Sequence, residues 1–161
     1  MGEAETRRGA FAEMSVTIQD HSAEVSAEIK SALLRGLETC GLVAEGYAKK
    51  LAPVGTPEST GIPGYIGGLL RGSITHALSG KQPSISTYQD NAGKRRGSYS
   101  GTAPEEGGSN KNAVYIGTNV EYAPYQELGT IHMAAQPFLK PAVADHANEF
   151  RKIFENELKN G

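Results

Sequence analysis

The feature that most constrains the fold is an apolar stripe with helical spacing in the first third of the chain. From Ser22 onward, apolar side chains recur every three or four positions, at Val25, Ile29, Leu33, Leu37, Cys40, Ala44, Tyr47 and Leu51. This spacing is typical of one amphipathic helix. We expect Ser22 to cap its start, and Pro53 to move Ala52 out of helical geometry at its end. Such a helix is about 45 Å long at 1.5 Å per residue, a scaffold on which a small sheet can pack.

Length and composition indicate one domain with some chain outside its core. The chain has 161 residues, of which 38% are hydrophobic and 20 are glycine, and its mean hydropathy is -0.41. Two separate cores would be difficult to build from this length. We therefore predict a flexible leader over residues 1–13 and a single domain over residues 14–161, with a flexible insertion at about residues 80–112.

Three short segments have the alternation of β-strands. Residues 15–19 alternate polar and β-branched side chains, with Val16 and Ile18 on the face expected to be buried. Residues 73–78 and 113–118 are the second and third predicted strands, and the simplest topology joins them as a long antiparallel hairpin. The insertion would be the tip of that hairpin, and its residues 84–88 could extend the strand.

The chain ends in a second amphipathic pattern. From Pro137 or Pro141 to Lys159, one predicted helix carries Val143, Ala147, Phe150, Phe154 and Leu158 on a single face. The predicted fold class is therefore α+β, in which a small antiparallel sheet with a long β-hairpin packs against a long N-terminal helix and a C-terminal helix.

The most informative stretch, from Ala113 to Pro141, contains an aromatic corner. In Glu-Tyr-Ala-Pro-Tyr-Gln-Glu-Leu-Gly, the side chains of Tyr122, Tyr125 and Leu128 recur at three-residue intervals, so a helical or 3₁₀ turn places them on one side. Pro124 lies inside this turn, and Gly129 can end it in a left-handed conformation. Tyrosines with apolar bodies and polar tips suit a half-buried corner or a subunit interface.

These residues resemble a known family. The segment GTNVEYAPYQELGT, followed by QPFLKPA with Pro137 and Phe138 and then by a polar amphipathic helix, is similar to the head–tail joining or tail-completion proteins of lambda-like siphophages, often described as tail components. The likeness extends over most of the chain from about Met14. Between Pro53 and Leu70 the chain departs from the family pattern, because about ten additional residues rich in Gly and Pro separate the matching blocks.

The resemblance implies a structural protein of the virion rather than an enzyme. Proteins of this family form a ring, commonly sixfold, between the head connector and the tail tube. The implied partners are further copies of the chain, the head-completion or connector protein and the tail tube protein, with DNA passing through the lumen without sequence specificity. The implied localisation is the neck or tail of the virion, and the host cytoplasm during assembly.

The candidate chemical groups give little support for catalysis. The motif Gly97-Ser98-Tyr99-Ser100-Gly101 has tyrosine where a hydrolase elbow has its serine. His76, His132 and His146 lack metal-ligand spacing, and a single cysteine, Cys40, offers neither a disulfide nor a zinc site and is expected to be buried. We therefore predict no catalytic residue, metal or cofactor, although spacing alone leaves an acid–base role open for Glu121 and Glu127.

One basic cluster, Lys94-Arg95-Arg96, leaves a second class of function open. Contact with DNA phosphates or an acidic partner is one interpretation, and a solvated loop tip is the other. The alternative to the virion protein is thus a small intracellular nucleic-acid-binding module or enzyme that uses this loop. The net charge of -2 and pI of about 6.1 give no global reason to expect nucleic-acid binding.

The sequence predicts a soluble protein of a reducing compartment. No apolar run approaches the length of a membrane span, so we expect no membrane partner.

Overall fold

The computed structural model of the chain describes residues 21–105 and 112–160. The leader (1–13), the predicted strand over residues 15–19 and residues 106–111 of the insertion lie outside these ranges. Ten elements follow in chain order, namely α1 (Ser22–Leu51), α2 (Pro57–Thr60), α3 (Leu69–Ser73), β1 (Thr75–Leu78), β2 (Thr87–Gln89), β3 (Arg96–Ser98), β4 (Val114–Gly117), α4 (Ala123–Leu128), α5 (Leu139–Ala144) and α6 (Ala147–Asn160). The predicted α+β fold class is confirmed.

The predicted first helix is confirmed as α1, and it ends where the sequence indicates. Ala52, before Pro53, adopts φ -58° and ψ 125°, which is extended rather than helical. The predicted cap is wrong, because His21 occupies the N-cap position without a side-chain capping bond, and its Nδ1 lies 2.9 Å from Glu24 Oε2. The buried residues of α1 are mostly small, namely Ala32, Gly36, Leu37, Cys40, Gly41, Ala44, Glu45 and Ala48.

The predicted antiparallel pairing of the central hairpin is confirmed, although its strands are shorter than predicted and Ser73 belongs to α3. β1 and β4 pair antiparallel, with Thr75 opposite Gly117 and Leu78 opposite Val114. Both strands pack on α1. The buried core cluster combines residues from distant parts of the chain, namely Ala48, Ala52, Leu70, Ile74, Val120, Ala123, Phe138 and Ala142. The core therefore lies around the second half of α1.

The insertion contains a second antiparallel hairpin, formed by β2 and β3. It packs on the body of the domain: Asn91 N–H donates to Gly67 O at 3.1 Å, and the Tyr88 hydroxyl donates to Asn119 Oδ1 at 2.6 Å. The described part of this polar segment thus takes its order from contacts with the domain, since its own apolar content is low. The predicted flexibility of residues 80–112 stays a prediction.

The predicted C-terminal helix is not continuous. It divides into α5 and α6 at Asp145 and His146, where the His146 ring stacks on Tyr47 with the ring centroids 3.5 Å apart. The break changes which side chains share a face. Phe150 and Phe154 are half-buried beside α1, whereas the predicted face members Val143 and Leu158 are exposed.

Candidate interaction surfaces

The aromatic corner is built on α4 and is held by its flanking residues. Pro124 lies in the first turn of α4, where its missing N–H costs nothing. Gly129 ends the helix with φ +76°, and a Cβ at this position would lie 2.7 Å from Ala135 N, so only glycine fits. The left-handed ending that we predicted is correct in the sign of φ, but ψ is 177° rather than helical.

The side chains of this corner point outward instead of into the core. Tyr125 is 59% exposed, Leu128 78% and Ile131 93%, and Tyr122 is also exposed. Ala123, between them, is the residue that α4 buries. Of the two interpretations of the tyrosines, the half-buried corner does not hold for Tyr125, and a role in an interface stays a prediction. We call residues 122–131 the corner surface.

Phe138 and Glu127 connect the corner to the core. Phe138 is fully buried, whereas Pro137 beside it is exposed. Glu127 Oε2 accepts the backbone N–H groups of Phe138 at 2.7 Å and Leu139 at 3.0 Å, and its Oε1 accepts that of Lys140 at 2.9 Å. Burial alone would raise the pKa of Glu127, but these three bonds outweigh burial and lower the pKa below its usual value. Glu127 thus caps α5 and holds the corner against it, a structural role.

A second apolar surface lies at the opposite end of the molecule. Residues 21–31 are all exposed, including Val25 at 50% and Ile29 at 55%. The predicted stripe is therefore buried in its middle, at Leu37, Cys40 and Ala44, while its last member Leu51 is 47% exposed. We call residues 21–31 the overhang. The corner packs through Ala123 in the cluster that includes Ala48 and Ala52, so the two surfaces are separated by most of α1, about 35 Å at 1.5 Å per residue.

The three residues of the basic cluster, Lys94, Arg95 and Arg96, make different contacts. Arg95 is held by the domain, because its Nε lies 3.4 Å from Asp90 Oδ2 and its guanidinium donates to Ile66 O at 3.2 Å. Burial of Asp90 would raise its pKa, but the Lys94 backbone N–H and the Arg95 guanidinium lower the pKa below its usual value. Lys94 and Arg96 have exposed side chains. Arg95 is itself exposed, and Arg96 Nε donates to Gly93 O at 3.4 Å, so all three cations remain accessible to a partner.

A buried ionic network, which the sequence analysis did not identify, joins α1 to β1. His76 Nδ1 lies 2.6 Å from Glu45 Oε2, and the His76 backbone N–H donates to the same oxygen at 3.2 Å. Lys49 pairs with Glu45 Oε1, the Ser84 hydroxyl donates to Oε2 at 3.1 Å, and His76 Nε2 faces Glu38 Oε1 at 3.2 Å. Glu45 and His76 are both buried. The only sequence signal for this network was a glutamate next to the apolar stripe.

The protonation of this network follows from its contacts. Burial alone would raise the pKa of Glu45, but the hydrogen bonds from His76 and Lys49 outweigh it and lower the pKa to about 2. The hydrogen bond to Glu45 raises the pKa of His76 above its usual value, against the effect of burial. Both shifts favour the charged forms, an imidazolium beside a carboxylate, and this buried contact suits attachment of the sheet to α1 rather than proton transfer to a substrate.

The other candidate groups stand apart from one another. His132 is exposed, and His146 stacks on Tyr47, so the three predicted histidines do not converge. Tyr99 packs against Tyr88, and burial raises the pKa of its hydroxyl to about 12. In the part of the chain that the structure describes, no three His, Cys, Asp or Glu side chains are placed to bind a metal ion.

Two further predictions concern Cys40 and the membrane. Cys40 is buried as expected, and burial raises the pKa of its thiol. Over residues 21–105 and 112–160, no helix has both the length and the apolar character that a bilayer span requires.

Comparisons of the chain with protein-family models, curated proteins and solved structures found no match.

Proposed function

We propose that this protein is a structural subunit of the neck of a tailed phage or prophage, where copies form a ring that completes the tail and joins it to the head connector. The proposal starts from the resemblance of the corner and the Gln-Pro-Phe-Leu block to tail-completion proteins. One structural observation carries it further, namely the position of two different apolar surfaces at opposite ends of α1.

Two different surfaces suit this kind of assembly. A ring closes through heterologous contacts, in which one patch of a subunit meets a different patch of the next. A single self-complementary patch would instead favour a twofold dimer. The overhang exposes Val25 and Ile29, and the corner surface exposes Tyr125, Leu128 and Ile131, so each offers apolar area that association would remove from water.

The surfaces have separate assignments in the proposed ring. The overhang projects beyond the packed part of α1 and contacts the adjacent subunit. The corner surface remains available for the connector protein or the tail tube protein. A ring of about six subunits encloses a lumen through which DNA passes, and this passage needs no sequence-specific contacts.

Light scattering of the purified protein, with and without duplex DNA at low and high salt, tests the proposal. We expect a ring-sized mass that DNA and salt leave unchanged, and a hollow particle by electron microscopy. A monomer whose DNA affinity falls steeply with salt would instead favour the nucleic-acid-binding alternative, because phosphate contacts release counterions. In that case Lys94→Glu and Arg96→Glu would reduce binding, whereas in the ring they would leave the mass unchanged.

A further inference from the structure

Within residues 21–105 and 112–160, one edge of the β1–β4 sheet has no partner strand. Ser79 N–H donates to Ala113 O at 2.9 Å, so in the antiparallel register the hydrogen-bonded pairs that follow are Ala77 with Tyr115 and Thr75 with Gly117. The backbone groups of Val114 and Ile116 therefore point away from β1. Among the residues that the structure describes, β1 is the only strand that pairs with β4.

This edge lacks the features that usually protect a free strand. Exposed edges normally carry charged residues, proline or a bulge that prevents pairing with another chain. β4 reads Val-Tyr-Ile-Gly, pairs with β1 in continuous register, and each of its residues is partly accessible. The outer edge of β1 differs, because His76 O already accepts the Ser84 N–H at 2.8 Å and Leu78 O accepts the Lys81 N–H at 2.9 Å.

An apolar groove borders the open edge. It holds about 170 Å³ and is lined by Leu37 and Gly41 of α1, Ile116 of β4, and Val143, Phe150 and Phe154 of the C-terminal helices. A dry cavity of about 150 Å³ accepts a ligand the size of benzene, so this volume suits one or two aliphatic side chains. A strand added to β4 would therefore place alternate side chains in the groove, as in strand addition to a sheet edge. We call this feature the β4–α6 groove.

Residues 15–19 have the pattern that such a strand needs. They lie outside the described residues, and their sequence, Ser-Val-Thr-Ile-Gln, places Val16 and Ile18 on one face and polar side chains on the other. Two β-branched side chains at alternate positions match an edge with an apolar groove on one side. The carbonyl and N–H groups of the segment would pair with those of Val114 and Ile116.

The segment cannot pair along β4 of its own chain. A Cβ at Gly41 would lie 2.6 Å from Val114 Cγ2, so β4 crosses α1 near Gly41. From Ser22 to Gly41 the helix axis extends about 28 Å at 1.5 Å per residue. The chain from Ser22 back to Thr17, the centre of the segment, spans at most about 18 Å when fully extended. The segment therefore ends well short of its own β4.

We infer that residues 15–19 of one copy add as a strand to the open edge of β4 in a second copy, with Val16 and Ile18 in its β4–α6 groove. The overhang carries the segment away from its own domain and presents it to the neighbour. The exchange is heterologous, since the donating and receiving sites differ, and each subunit can do both. The inference rests on the proposed function in one respect, because it requires a neighbouring copy.

Disulfide trapping between chains tests the exchange. Two full-length variants are prepared in a Cys40→Ala background, one with Ile18→Cys and the other, of distinct mass, with Val143→Cys. We expect the mixture to form a covalent heterodimer under mild oxidation, in the assembled fraction. Thr17→Cys is the matched control, because its side chain lies on the opposite face of the strand, and we expect at least about tenfold less heterodimer with it.

The outcomes separate the inference from the proposed function. A ring-sized mass without the Ile18–Val143 cross-link, or with equal cross-linking from Thr17→Cys, overturns the strand exchange and leaves the ring proposal standing. A cross-link within one chain of the double variant in dilute solution also overturns the exchange. A protein that stays monomeric at all concentrations overturns both.

A second pair of full-length variants tests the contribution of the groove to assembly. Val16→Asp with Ile18→Asp places charges in the apolar groove, and we expect loss of the ring-sized species with an unchanged melting temperature. Ser15→Asp with Thr17→Asp adds the same charge to the other face, and we expect assembly to remain. Equal behaviour of the two variants contradicts the inference.

Discussion

Gly41 of α1 and Val114 of β4 approach so closely that a Cβ on Gly41 would lie 2.6 Å from Val114 Cγ2 and 2.7 Å from His76 Cδ2. By contrast, a Cβ at Gly46 of the same helix would meet no atom within 4 Å. The two glycines thus lower the helix propensity of α1 to the same degree, but only Gly41 is required by packing.

This difference predicts opposite effects of the same substitution. We expect Gly41→Ala to lower the free energy of unfolding by about 1–3 kcal/mol, the usual cost of overpacking a core. Gly46→Ala should raise it by about 0.5–1 kcal/mol, because alanine loses less backbone entropy in a helix. Urea denaturation of both variants checks the pair, and a destabilised Gly46→Ala protein would contradict the open space at that position.

The Glu45–His76 pair predicts a dependence of stability on pH. Glu45 has a folded pKa of about 2 against an ordinary value of 4.5, so its stabilisation is complete above pH 4.5 and is lost as pH falls toward 2. The folded pKa of His76 lies above 6.5, so its stabilisation is complete below pH 6.5 and is lost as pH rises through the folded value. The contribution of the pair is therefore greatest between about pH 4.5 and 6.5.

Melting temperatures measured across the pH range check this expectation. Glu45→Gln should weaken the loss of stability on the acid side, and His76→Gln that on the alkaline side, relative to the wild type. At pH 6, Glu45→Ala should cost about 3–5 kcal/mol, because it leaves the buried His76 without its main partner. Glu38→Ala is the control, and since Glu38 is exposed we expect a cost of at most about 1 kcal/mol.

Glu127 is predicted to stabilise the corner through its three bonds to backbone N–H groups. We expect Glu127→Ala to lower the free energy of unfolding by about 1–3 kcal/mol, because the first turn of α5 loses its acceptors beside the buried Phe138. The matched control is Glu121→Ala, six positions earlier and exposed, which should change stability by less than about 0.5 kcal/mol. Thermal denaturation of the two variants decides between this role and a catalytic one, for which stability would stay unchanged.

The corner surface is predicted to act in assembly rather than in folding. Because the side chains of Tyr125 and Leu128 are largely exposed, Tyr125→Ala and Leu128→Asp should each change the free energy of unfolding by less than about 0.5 kcal/mol. Under the proposed function, both should weaken binding of the protein to the connector or tail tube protein, measured by co-sedimentation of the purified components. Ala123→Asp, at a buried position of the same helix, is expected to unfold the subunit.

The sequence was sufficient to predict those elements that depend on a local pattern of residues. The boundaries of α1 follow from its apolar period and from Pro53, and the β1–β4 pairing follows from two alternating segments. The exposure of Val25 and Ile29 could not be predicted in this way, because periodicity identifies a helical face but not the length of the partner that covers it. In the structure Arg35 of α1 pairs with Glu157 of α6 at 3.4 Å and Ala32 is still buried, whereas every residue from 21 to 31 is exposed.

Features that depend on contacts between distant residues were missed for a similar reason. Nothing near His76 in the sequence indicates that Glu45, 31 positions away, is its partner. The division between α5 and α6 is likewise accompanied by the stacking of His146 on Tyr47, a residue of α1. The outward direction of the corner depends on Glu127 and on the turn at Gly129, which together fix how α4 meets α5.

The overhang gives α1 two levels of local stability. A helical stretch of this length is too short to persist alone in water, so its hydrogen bonds open without disturbing the core, whereas those around Ala44 and Ala48 open only when the sheet detaches. Any partner that contacts the overhang must therefore also order it, and this entropic cost weakens the association.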